Sequence, residues 1–79
     1  MEIAKEVIGI VAEVLNRKVE ELKVEDKLEL DELDSVEICL AIEEKFGIVI
    51  PDEVPEKFVT LQDIINYVGE EVNKESGVK

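Results

Sequence analysis

The 79-residue sequence contains no histidine and no tryptophan, and it holds one cysteine, one methionine, one tyrosine and two phenylalanines. Without histidine it lacks the usual general base near neutral pH and the commonest metal ligand. Cys39 can form no internal disulfide, and no imidazole is present to activate it. Set among Ile38, Leu40 and Ile42, it reads as a buried structural thiol. Basic residues are the second scarcity: nine Lys and Arg stand against 21 Asp and Glu, a formal net charge of −12. The cations are scattered singly, whereas binding a phosphate backbone needs them clustered, so nucleic-acid binding is excluded. A surface this anionic is steered instead toward basic patches on other proteins. No apolar run is long enough for a membrane span, and Met1-Glu2 leads straight into an amphipathic pattern with no signal peptide, so a cytoplasmic protein is expected.

What is present is an aliphatic chain. Hydrophobic residues make up 46% of it with few aromatics, so Val, Ile and Leu must supply the core. At this length residues 1–79 form a single domain, with 1–2 and 73–79 expected to fray. Ile3, Val7, Ile10 and Val14, with Ala4, Ile8, Val11 and Leu15 beside them, give a first helix over Ile3 to Leu15. Asn16 ends it as a residue tolerant of left-handed backbone. Val19 to Leu30 holds neither a helical nor an alternating period; with no partner for a strand, it reads as a crossover loop pinned by Leu22 and Leu28.

Asp31 or Asp34 can cap the second helix, which runs to about Phe46 and stops at Gly47. Ile38, Ile42 and Phe46 form its inner row, with Cys39 and Leu33 beside it, while Glu37, Glu43 and Glu44 face out. Ile48 to Pro51 is extended because proline biases its predecessor away from helix. Asp52 to Phe58 offers a short helical turn with Pro55 near its start, and Thr60 to Asp63 is a capping box for a last helix bearing Leu61, Ile64, Ile65, Val68 and Val72 inward. The fold class is all-α: a bundle of three main helices with a short third helix before the last.

The stretches LDSVEICLAIEEKFGIVIPDE, from Leu33, and EKFVTLQDIINYV, from Glu56, resemble the acyl carrier proteins of fatty-acid and polyketide synthesis, and the likeness covers nearly the whole chain. The resemblance implies a four-helix bundle in which a serine at the start of the second helix carries a covalent 4′-phosphopantetheine arm, whose thiol holds acyl groups as thioesters. It further implies an aliphatic core or acyl cavity lined by Val7, Ile10, Val11, Leu28, Ile38, Ile42, Phe46, Ile50, Phe58, Leu61, Ile65 and Val68. The expected partners are a phosphopantetheinyl transferase and acyl-processing enzymes whose basic patches meet Asp34, Glu37, Glu43, Glu44, Asp52, Glu53 and Glu56. A monomer is expected.

The attachment motif departs from the family pattern of Asp-Ser-Leu. Aligned without gaps backward from Phe46, Glu32 stands where the modified serine belongs, and Ser35 follows one turn later. Counting forward from the first helix instead reads Asp34-Ser35-Val36 as the motif, but this removes about three residues, nearly one turn, from the second helix. Loops tolerate length change and packed helices do not, which favours the first register. A glutamate cannot be phosphopantetheinylated, so Ser35 is the only candidate attachment residue near the helix start. The resulting function is an acyl carrier; the alternative is an arm-less relative acting as an acidic protein-interaction module. No enzyme is expected, because pairs such as Glu43-Glu44 and Glu70-Glu71 lie along helices without converging on a pocket. No dedicated metal site is expected either, since the carboxylates at Asp31, Glu32 and Asp34 and at Asp52, Glu53 and Glu56 lack calcium-loop spacing.

Overall fold

Apolar stripes at helical spacing commit three segments to helix and decide which faces meet. In the computed structural model, which describes residues 2–76 with side chains through Lys74, α1 spans Ile3–Leu15, α2 Glu32–Phe46 and α3 Leu61–Ser76. Single 3₁₀ turns at Val19–Glu21 and Pro55–Lys57 punctuate the connections. Among the described residues every named element is therefore a helix, and the short helix expected before the last is one turn long. Pro55 occupies its first position, where a missing N–H costs nothing.

The three stripes close one aliphatic core. Val7 and Val11 of α1, Ile38 and Ile42 of α2, and Leu61, Ile64 and Val68 of α3 are fully buried. Ile48 and Ile50 join them from the segment after α2, and Ile10, Leu28, Phe46, Phe58 and Ile65 pack half-buried against the cluster. Phe58 meets Tyr67 edge-on, with ring centroids 5.7 Å apart. Leu33 departs from expectation: it is 65% exposed. Its place on α2 lies roughly 140° around the helix from Ile38, too far to share the inner face.

The crossover loop is more firmly held than its irregular pattern suggests. Leu28 N–H donates to Val59 O at 2.8 Å and Gln62 N–H to Val24 O at 2.9 Å. An isolated antiparallel bridge joins Lys27 to Thr60. A segment without a strand partner by sequence thus finds one at the entrance to α3, and Leu22 and Leu28 pack against the core as expected.

Both expected left-handed caps form. Asn16, at φ 57° and ψ 47°, closes α1, and Gly47, at φ 69°, closes α2 with its N–H on Glu43 O at 2.8 Å. At the start of α3, the Asp63 carboxylate accepts from Thr60 N–H at 3.0 Å and Val59 N–H at 3.1 Å, while Thr60 Oγ1 accepts from Asp63 N–H at 3.2 Å. Of the stretch expected to fray from Asn73, the part to Ser76 continues α3, and Lys74 pairs with Glu71 at 3.3 Å. Met1 and 77–79, with the rest of that expectation, lie outside the described residues.

Two outcomes follow from these caps. A Cβ added at Gly47 meets no atom within 4 Å, so Gly47→Ala carries only the conformational cost of its positive φ. That cost is about 1 kcal/mol and should lower the urea midpoint; an unchanged midpoint would contradict the strain. The two N–H groups, Thr60 first and then Val59, hold the Asp63 carboxyl below its usual value. A carboxylate depressed by folding stabilises above its unfolded value and loses that effect as pH falls through the folded one. The stability gap between the parent and Asp63→Ala should therefore be constant near neutrality and shrink below about pH 4; a gap undiminished at pH 2 would refute the assignment.

Candidate functional site

The opening turn of α2 fixes the site. Asp31 is the N-cap, with extended backbone at φ −84° and ψ 178°, and its Oδ1 accepts from Asp34 N–H at 2.8 Å. Its carbonyl accepts from Ser35 N–H at 3.0 Å. The carboxylate satisfies a free donor of the first turn and sits at the positive end of the helix dipole. Glu32 is therefore the first helical residue, and Asp34 lies within the helix rather than before it. Ser35 follows one turn later, about 4.5 Å along the axis and about 60° around it from Glu32.

From this start, two rows of α2 line a groove of about 500 Å³. Ser35, Cys39 and Glu43 form one row, and Glu32, Val36 and Leu40 the other. Ile50, Asp52, Pro55 and Glu56 contribute from the segment after α2, and Leu30 and Asp31 from before it. Ser35 is half-buried, and its hydroxyl makes no hydrogen bond among the described residues. Cys39 is buried, and burial first, then the Glu43 carboxylate, pushes its thiol up from the ordinary value. It stays protonated near neutral pH, as a structural thiol does.

The acidic residues divide into two kinds. Glu37 and Glu44 on α2, and Asp52, Glu53 and Glu56 after it, are exposed, and Asp34 is half-exposed. Glu43, expected to face outward with them, is half-buried, and its Oε2 accepts from Ile50 N–H at 2.7 Å. The reason is a backbone donor seven residues on that has turned back against the helix, a contact that no short-range pattern encodes. Among the described residues no group of three or more His, Cys, Asp or Glu could hold a metal ion. Sequence reasoning placed Leu33 beside the inner row and gave Val36 and Leu40 no exposed role, yet the three are exposed at 65%, 49% and 57%. Their i, i+3, i+7 spacing marks a second apolar stripe that could have been read directly.

Comparison with known proteins gives one result throughout. A family model described as acyl-carrier matches residues 3–78. The acyl carrier protein of Wolinella succinogenes is 45% identical over 78 residues, covering 94% of this chain and all of that one. That of Campylobacter hominis is 41% identical over 78 residues, covering 94% and 98%. That of Thermosynechococcus vestitus is 41% identical over 75 residues, covering 90% and 93%.

A 4′-phosphopantetheine arm requires a hydroxyl to bear its phosphodiester. Glu32 offers only a carboxylate, whereas Ser35 offers an unengaged hydroxyl at the groove, so the residues fit the group at Ser35. The cap that establishes this geometry can be measured by itself. Asp31→Ala should cost about 1 kcal/mol of unfolding free energy and Asp31→Asn much less, because the amide oxygen still accepts from Asp34 N–H. Equal losses in the two variants would show that the cap is not made.

Proposed function

The chain belongs to the acyl-carrier family, and from that premise we propose that Ser35 is the residue through which it carries its 4′-phosphopantetheine arm. Members of this family are carriers and not enzymes; their prosthetic group supplies the thiol that holds an acyl group as a thioester. The observation that supports Ser35 is its free hydroxyl on the groove, one turn after a glutamate that has taken the first helical position. Around it, Cys39, Leu40, Ile50 and Pro55 give the groove an apolar share that suits an alkyl-amide arm lying along α2.

The charge distribution supports docking to basic partners. Between Asp31 and Glu56 lie nine of the acidic residues against a single cation, Lys45. Exposed Leu33, Val36 and Leu40 share α2 with Glu37 and Glu44, so an apolar contact flanked by fixed negative charge is available. Such a face favours fast, salt-sensitive encounters with enzymes that present Arg and Lys, as a carrier passing between several of them requires. The transferase that adds the arm and the enzymes that use it are the partners of this reading, with the carrier acting as a monomer in the cytoplasm. No helix among the described residues is long and apolar enough to cross a membrane.

Glu32 at the first helical position supports a second reading, an arm-less carrier relative that binds the same enzymes through its acidic face. One experiment separates the two. Incubation with coenzyme A and a broad-specificity phosphopantetheinyl transferase should raise the intact mass by one arm, in the parent and in Glu32→Gln alike, and not in Ser35→Ala. Recovery of the parent unmodified, or a mass gain that survives Ser35→Ala, overturns Ser35 as the attachment residue.

A further inference from the structure

The segment that leaves α2 reverses direction at Gly47, buries Ile48 and Ile50 in the core, leaves Val49 77% exposed between them, and reaches Pro51. It alternates like a strand but has no sheet to join, and among the described residues the Ile50 N–H is satisfied by the Glu43 carboxylate, at 2.7 Å. An ionised acceptor makes this stronger than a neutral bond, and a half-buried N–H left without it would pay its full desolvation cost. Both ends of the bond line the groove of Ser35, and Cys39 lies one turn before Glu43 on the same row.

We infer that Glu43 is a positioning residue, a latch that holds Ile48 to Pro51 against α2 and thereby sets how far the groove at Ser35 opens, instead of serving as a contact for basic partners. With the latch made, Ile50 stays seated and Cys39 is covered, only 9% exposed. With it broken, the Ile50 N–H turns toward water, its side chain leaves the groove wall, and Cys39 becomes reachable. The neighbouring acids Asp52 and Glu56 cannot replace it, because they are exposed on the segment that the latch restrains. This deepens the reading of the groove as the arm's bed, but it concerns the chain without any arm. A failure at Ser35 therefore leaves its test untouched.

The reporter is alkylation of Cys39 by iodoacetamide in the folded, unmodified full-length protein. Glu43→Ala should raise the rate about tenfold beyond Glu43→Gln, the effect of losing one such hydrogen bond, whereas Glu43→Gln should show only the smaller rise that loss of the charge beside the thiol gives. The glutamine control is decisive because the Glu43 charge also holds the Cys39 thiol up. Both substitutions remove that charge, but only glutamine keeps an oxygen for Ile50. Equal rates in the two variants overturn the latch, as does a rise in Glu43→Ala no larger than its change in global unfolding equilibrium in urea. Should Glu43→Ala fail to fold, hydrogen exchange decides: the Ile50 amide is protected in the parent and in Glu43→Gln, and fast exchange in the folded parent overturns the inference.

Discussion

The hydrogen bond from Asp34 N–H to the Asp31 carboxylate fixes where α2 begins, and the burial of Ile38 and Ile42 fixes which way its faces point. Seated this way, α2 buries Ile38 and Ile42 wholly in the core, lays Ser35, Cys39 and Glu43 along a groove whose exposed edge Val36 and Leu40 form, and leaves Leu33 in water. Surfaces of different chemistry thus follow from one capped turn and one buried row. The core side is closed by α1 and α3, and the Glu6 to Lys45 ion pair at 3.1 Å adds little across an exposed seam.

Helix content and core were legible because they rest on local periodicity. The stripe from Ile3 to Leu15, the row of Ile38, Ile42 and Phe46, and the capping box from Thr60 to Asp63 are short-range patterns, and each formed where its spacing put it. What escaped depends on contacts between residues distant in sequence. The Lys27 to Thr60 bridge joins loops 33 residues apart by number, and nothing in an aperiodic loop announces its partner. Glu43 resembles its neighbour Glu44 in every local respect; only the return of Ile50 separates an internal acceptor from a solvated charge. Leu33 was misplaced for a simpler reason, since an apolar residue near an inner row is not on it unless the angle agrees. At the candidate site, family resemblance and helix geometry point to the same turn, but the residue type there, Glu32, is one that no packing argument predicts.

The electrostatics and the groove belong to one arrangement. Exposed carboxylates at Asp31, Glu32, Asp52 and Glu56 line a cleft together with Ser35 and Cys39, while Glu37, Glu44 and Glu53 add exposed negative charge outside it. A carrier has to be recognised by several enzymes and released by each, which long-range attraction to a fixed negative face provides without a large buried interface. The same face has a cost within the chain, because like charges around a small helical domain oppose compaction. Buried aliphatic residues from all three helices and from the Ile48 to Ile50 return offset that repulsion. An arm borne on Ser35, as proposed, would stand one turn further along α2 than Glu32, in the groove that Ile50 also lines.

The most direct measurement is phosphorus–proton correlation NMR on protein purified after reaction with coenzyme A and a transferase. A single phosphodiester resonance coupled to the β protons of Ser35 is the result expected from a hydroxyl presented at the groove by a helix that starts at Glu32. Coupling to the protons of any other residue, or a folded protein bearing no phosphorus signal, would contradict it.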